Sequence, residues 1–302
     1  MICLMWRQHR GQVLWAIIAV AALCMVIVTY GLSAEHWLAG YQSWLRQLAA
    51  AGCPPPDAHT GVFHVQSAAT CAALKDRYLG GLQPAFGDRY NAAILLSQYG
   101  LSAAFAIIGA LVGAPLVARE IEERTHLAAW TQSISRRRWY VTKSVTLGAC
   151  LIALGLIAGT ANAWLQRQLA AGDPTSTRWS WFGSIDLALA GEVVLAFALG
   201  VALGALIRRT LPAIGAAVVA FTLLILGLRW VVLEHTPTRT TTGPGFTAPP
   251  GSWLLDPRNG FPFRYHPPTQ FVALQLILLG VLLAVAASAL VTGWLSTRDH
   301  AV

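Results

Sequence analysis

The sequence predicts an all-α polytopic membrane protein with six transmembrane helices and both termini in the cytoplasm. Three observations carry this. Of 302 residues, 56% are hydrophobic and only 11% are charged, where a soluble domain carries about 25% charge. Six apolar runs, at about 13–32, 93–118, 144–165, 185–207, 211–233 and 271–295, each reach the roughly 20 residues that cross a hydrocarbon core. Basic residues concentrate on alternate connecting segments, as cytoplasmic flanks do.

The first run follows Arg7 and Arg10 but exceeds the 7–15-residue core of a signal peptide. No small-residue cleavage site follows it, so it reads as a retained helix. Segments 1–12, 119–143, 208–210 and 296–302 hold 11 of the 21 Lys and Arg in 47 positions; loops 33–92, 166–184 and 234–270 hold 9 in 116. That contrast in density places both termini inside, in the plasma membrane. Trp37, Trp139, Trp164, Trp179, Trp181, Trp230 and Trp294 gather at run ends, where aromatic rings prefer the interface. The net charge of +8 flanks apolar runs and forms no separate basic domain, which argues against a nucleic-acid partner. The whole chain, 1–302, reads as one transmembrane domain.

Loop 33–92 is patterned. Trp37, Leu38, Tyr41, Trp44, Leu45 and Leu48 share one helical face. Ser33 is the expected N-cap of a separate helix there, and Gly52 before Pro54, Pro55 and Pro56 its end. The apolar face either lies on the outer leaflet or packs on the membrane domain. A second helix is expected at about 67–80. Cys53 and Cys71 share this outer loop, where oxidation is possible, and are expected to form a disulfide. Arg208-Arg209-Thr210 makes a tight hairpin tip, with Thr210 capping the fifth helix and Pro212 in its first turn. Loop 234–270, rich in Pro, Gly and Thr, is expected to be irregular with one short helix around 252–256.

Chemistry is sparse. Neither lysine, Lys75 or Lys143, follows a glycine, so no GxxxxGK[ST] phosphate loop exists. HExxH and GxSxG are absent too, leaving no catalytic set. Asp57, His59 and His64 read better as surface residues than as metal ligands, and no metal or cofactor is expected in this chain. GxxxG spacings at Gly109–Gly113, Gly155–Gly159 and Gly200–Gly204 allow close helix packing, within the bundle rather than between copies. Glu192 lies inside the fourth run, with Asn162 and Gln98 as candidate partners and Arg229 nearer the outer end. An intramembrane acid lines a cavity or packs structurally, or else touches substrate.

Charge collects in residues 117–144, which hold nine charged residues. Pro115 can kink the exit of the second run. A helix continuing past it gives Glu120 and Arg124 an ion-pair spacing, with Glu123 beside them. Ser135 can cap the third helix, which puts Arg136, Arg137 and Arg138 in its first turn. Positive charge there opposes the helix dipole, so topology and anionic headgroups are its reason. The acids either form a solvated face or dock a soluble partner.

WRQHR at 6–10 and GAPLVAREIEERTHLAAWTQSISRRRWYVTK at 113–143 resemble the permease subunits of type-2 ABC transporters, most of all a group found in high-GC Gram-positive bacteria. The resemblance implies that the cytoplasmic loop between helices two and three is a coupling helix seated in a groove of a separate ABC ATP-binding subunit. It implies Glu120, Glu123, Arg124, Thr125, Trp130 and Arg136 as coupling residues. Trp6, Arg7 and Arg10 would belong to a helix leading into the membrane at the inner surface. It also implies a non-catalytic subunit paired with a second permease copy, as homodimer or heterodimer. ATP and Mg²⁺ would be held in the partner ATPase, and the exported compound would be amphipathic or lipid-like. The rival from the residues alone is a secondary transporter or channel working without an ATPase; a membrane-bound enzyme lacks the residues for one.

Overall fold

Each apolar run becomes a helix, and every helix but the fourth run's extends beyond its run. The computed structural model describes residues 2–53, 69–77, 80, 92–123, 135–172, 184–235, 238–240, 253–254 and 264–298. These form α1 (Ile2–Ala50), α2 (Ala69–Arg77), α3 (Ala92–Glu122), α4 (Arg136–Gly172), α5 (Asp186–Ile207), α6 (Thr210–His235) and α7 (Phe271–Arg298). All but α2 are long and apolar enough to cross a membrane. The fold is that of an all-α membrane protein with six candidate membrane-spanning helices.

Helix α5 is the centre and packs against α3, α4, α6 and α7. Alanine and glycine recur along its buried positions, and the GxxxG pairs explain why. A Cβ on Gly113 would stand 2.4 Å from the Phe197 carbonyl oxygen, and one on Gly204 would stand 2.5 Å from the Ala114 carbonyl oxygen. Gly109 and Gly200 close the same α3–α5 seam. On the other side of α5, Gly155 lies against Ala190 and Val193, and Gly159 against the Asp186 backbone. Without a hydrophobic drive between helices in lipid, backbone proximity and dispersion contact hold this seam. Helix α1 is peripheral. Val13, Ala16, Val20, Ile27 and Ala34 are buried at coiled-coil-like spacing, mainly toward α4, while Trp15 and Met25 are exposed.

Three expectations for the loops are overturned. First, α1 does not restart at Ser33. It runs unbroken for 49 residues, about 73 Å at 1.5 Å per residue, and the Ser33 hydroxyl donates back to the Thr29 carbonyl at 2.8 Å. A serine can satisfy itself in mid-helix this way, so its cap preference is not decisive where the apolar period continues. The helix does stop at Gly52, whose φ is +68°. Gly52 N–H donates to Ala49 O and Cys53 N–H to Leu48 O at 3.1 and 2.9 Å, the Schellman pattern that needs a left-handed residue. The apolar face packs on α2: Trp44 Nε1 donates to Leu74 O at 2.8 Å, and a disulfide joins Cys53 to Cys71. Second, residues 253–254 are a strand, not a helix. β1 (Arg239–Thr240), β3 (Arg264–His266) and β2 (Trp253–Leu254) form an antiparallel sheet in that order, burying Tyr265 and His266. The Trp-Leu and Arg-Tyr-His segments fit a half-buried pleated surface. Third, Thr210 does not cap α6 with its own hydroxyl; that end is held from α3, as described below.

Two outcomes follow. Gly204→Ala or Gly113→Ala overpacks the α3–α5 seam and lowers stability by about 1–3 kcal/mol, read as a lower thermal unfolding midpoint in detergent. Gly215→Ala, with nothing within 4 Å of the added Cβ, leaves that midpoint unchanged or raised. Separately, Cys53 and Cys71 resist a membrane-impermeant maleimide until a reductant is added; labelling of both without reduction contradicts the disulfide.

Candidate functional site

The charged residues of 117–144 do not form one solvated face. The buried stripe of α3, Gly113, Leu116, Val117 and Glu120, keeps helical phase past the apolar run and carries Glu120 inward. Glu120 is 6% exposed and Lys143 is 4% exposed; the Lys143 ammonium donates to Glu120 Oε1. Lys143 Nζ also lies 4.9 Å from the centre of the Trp139 ring, one turn earlier on α4, in cation–π range. Glu120 is therefore not on a solvated face; Arg124, its expected i,i+4 partner, lies outside the described residues. The i,i+4 surface pair is Arg119–Glu123, at 2.7 Å and exposed.

Glu122 reaches sideways. Its Oε2 accepts from the Thr210 backbone N–H at 3.3 Å and from the Thr210 hydroxyl at 2.9 Å. A carboxylate at a helix N-terminus satisfies an orphan donor and faces the positive end of the dipole. Arg208 closes α5 in the left-handed region at φ 60°, which lets α6 turn back at once. Helix α4 begins as expected: Ser135 Oγ accepts from Arg138 N–H at 3.3 Å, and Arg137 and Arg138 are exposed. Tyr140 then ties α4 to α7. Its hydroxyl donates to the Leu290 carbonyl at 2.9 Å, and its ring lies 5.9 Å from that of Trp294. Arg10 is exposed on α1. Arg124, Thr125 and Trp130 lie outside the described residues, as do Asp57, His59, His64 and the side chains of Trp6, Arg7, Arg136 and Arg229.

A second polar group lies at the opposite end of the bundle, the end bearing Cys53. Asn162 Nδ2 donates to Ser184 O at 2.7 Å and to Ser97 O at 3.4 Å. Ser184 Oγ donates to Gln98 O at 3.2 Å and stands 3.5 Å from Ser102 Oγ. Gln275 Oε1 accepts from Ala188 N–H at 2.9 Å and so caps α5 from α7. Asn162 and Gln98 are thus brought together, but through Ser184 and not through Glu192. Glu192 is buried in α5 at 1% exposure. Lys143, Glu122, Thr210, Ser184, Ser102 and Gln275 are the contacts that sequence reasoning missed. Lys143 had a signal: it lies one turn after Trp139 and is one of only two lysines.

Removing one partner of a buried ion pair leaves an unmatched charge, costing about 3–5 kcal/mol. Glu120→Gln or Lys143→Met therefore lowers the unfolding midpoint strongly. The double variant recovers most of the loss, as a double-mutant cycle will show. Additive losses would mean that the two side chains do not meet.

No curated protein and no solved structure matches the chain. Residues 17–232 match the family described as ABC-2 membrane transporter related, which covers more than two thirds of the sequence and includes five of the six long apolar helices together with the Glu120–Lys143 contact. The chain belongs to the ABC-2 membrane transporter related family and is a membrane subunit of the ABC-transporter kind.

Proposed function

We propose that this chain is the permease subunit of an ABC exporter for an amphipathic or lipid-like compound. It works as one of two permease copies, identical or related, in the plasma membrane with both termini cytoplasmic. A separate ATP-binding subunit, which holds ATP and Mg²⁺, docks on the segment between α3 and α4. The observation that carries this reading is the set of contacts flanking that segment. Glu120–Lys143 links its two ends, Glu122–Thr210 links it to α6, and Tyr140–Leu290 links it to α7. A push delivered between Glu123 and Ser135 would reach four helices without first bending any of them.

Burial divides the coupling candidates by role. Glu120 transmits; it is turned away from any docked subunit. Arg119 and Glu123, exposed at the end of α3, are placed to meet the partner, as Arg124, Thr125, Trp130 and Arg136 are by sequence. The lack of a phosphate loop in this chain fits division of labour between two subunits. The density of basic residues on the 119–143 and 208–210 segments supports a cytoplasmic position for this end. Glu192, inside the bundle, has a structural or pathway-lining role in this reading.

The test is co-purification with an ATP-binding subunit that carries GxxxxGK[ST]. Wild type retains that subunit. Glu123→Arg combined with Arg119→Glu, which preserves the exposed helix pair, loses it with an unchanged unfolding midpoint. A wild-type chain that retains no ATPase and moves its compound down an ion gradient alone would establish a secondary transporter instead.

A further inference from the structure

The hydrogen-bond network at the Cys53 end closes around some polar groups and leaves others open. Asn162 uses Nδ2 for the carbonyls of Ser184 and Ser97, but its Oδ1 accepts nothing. Gln166, four residues on, is 5% exposed, and neither its Oε1 nor its Nε2 has a hydrogen-bond partner. Residues four apart on a helix share a face, with Cβ atoms about 6 Å apart. Together the two amides present two open acceptor oxygens and one open NH₂ group.

The wall opposite is unusual as well. Helix α3 passes through a π-helical turn at Leu96–Gly100. Such turns interrupt the regular ladder and are frequent at functional sites. This one directs the Ser97 and Gln98 carbonyls to side chains of other segments, Asn162 and Ser184. Buried amides left unmet inside an apolar bundle are penalised, and native proteins usually hold a water or a ligand against them. Open donors and acceptors carrying no net charge suit a hydroxyl, which donates and accepts at once.

We propose that Asn162, which bonds the π-helical turn of α3, and Gln166, one turn further along α4, form a buried binding site for an uncharged hydroxyl group. That hydroxyl belongs either to water or to the headgroup of the amphipathic compound; only the second source rests on the exporter reading.

The experiment uses the full chain in phosphatidylcholine nanodiscs and follows thermal unfolding with two added lipids. Dioleoylglycerol offers an uncharged hydroxyl, and dioleoyl phosphatidic acid has the same tails with a charged head. A binding hydroxyl lipid raises the wild-type midpoint by about 2–4 °C, phosphatidic acid does not, and Gln166→Met removes the rise. If neither lipid acts but Gln166→Met melts about 2–4 °C below wild type, the site stands with water as its occupant. Should the Met variant not fold, Gln166→Asn, which draws the amide back by one methylene, takes its place with the same readouts. Replacing a truly unmet amide by an apolar group of like shape is neutral or stabilising. A Gln166→Met chain that melts at or above wild type, with no lipid shift or an equal shift in both chains, therefore overturns the proposal. No ATPase is present in this assay, so its outcome is independent of the co-purification.

Discussion

The seam between α3 and α5 sets the geometry of the rest of the bundle. In lipid, helices gain little from hiding apolar surface from one another, and close backbone approach takes over. Gly109 and Gly113 from α3 meet Ala196, Phe197 and Val201 of α5, and Gly200 and Gly204 meet Ala110, Gly113 and Ala114 in return. Apart from the Ala196 methyl, these nearest contacts are all backbone, so the rotation of each helix about its axis is fixed. That rotation explains the charged end. The phase that puts Gly113 against α5 also puts Leu116, Val117 and then Glu120 inward, so an acid at position 120 needs an internal cation. Helix α4, held against the far side of α5 by Gly155 and Gly159, supplies it as Lys143.

Polar groups inside the bundle then obey one rule. Where hydrocarbon offers no hydrogen bonds, a buried donor or acceptor is costly unless matched internally. The molecule gathers most of its internal polarity at two levels near the ends of the apolar runs and leaves the middle mostly to Ala, Leu and Gly. At one level a carboxylate and an ammonium meet over a tryptophan; at the other, serine and amide groups meet backbone carbonyls released by the π-helical turn. A buried ion pair contributes little net stability against a well-packed apolar pair. Its effect here is to fix which turn of α4 lies beside which turn of α3. The Ser184–Asn162 cluster does the same for α3, α4 and the start of α5 at the other level.

Sequence reading recovers what depends on local pattern and misses what depends on helix rotation. The six runs, the Gly52 stop, the Ser135 cap and the intramolecular use of the three GxxxG pairs follow from hydrophobicity and residue type, and the structure contains each of them. The continuity of α1 was missed because a mid-helix serine resembles a cap until its hydroxyl is seen bonding Thr29. The i,i+4 spacing of Glu120 and Arg124 suggests a surface face, but the phase of the preceding apolar stripe carries Glu120 inward. Lys143 and Thr210 were missed as partners because 23 and 88 residues separate them from Glu120 and Glu122. The β1–β3–β2 sheet was unreadable for a related reason: its strands are two or three residues long, too short for any period to show.

The two polar levels also say what can move. Helices α3 and α4 are joined at both levels and both pack along α5, whose start joins the second level, so the three resist shearing past one another and respond to a load as a block. Helix α1 is attached differently, by a single stripe running from Val13 to Ala34 along α4. It is also the longest element, at 49 residues, and beyond that stripe it carries Trp44, Leu48 and the disulfide to α2. A tilt of α4 at the Glu120 end would be passed to α1 over the shared stripe and enlarged along its free length. The Schellman stop and the disulfide give the far end of that lever a defined shape instead of a frayed terminus. Under the proposed function, a push on the segment between Glu123 and Ser135 would by this route reach the Cys53 end of α1. The described parts of the segment between the first two apolar runs, the end of α1 and α2, would move with that lever.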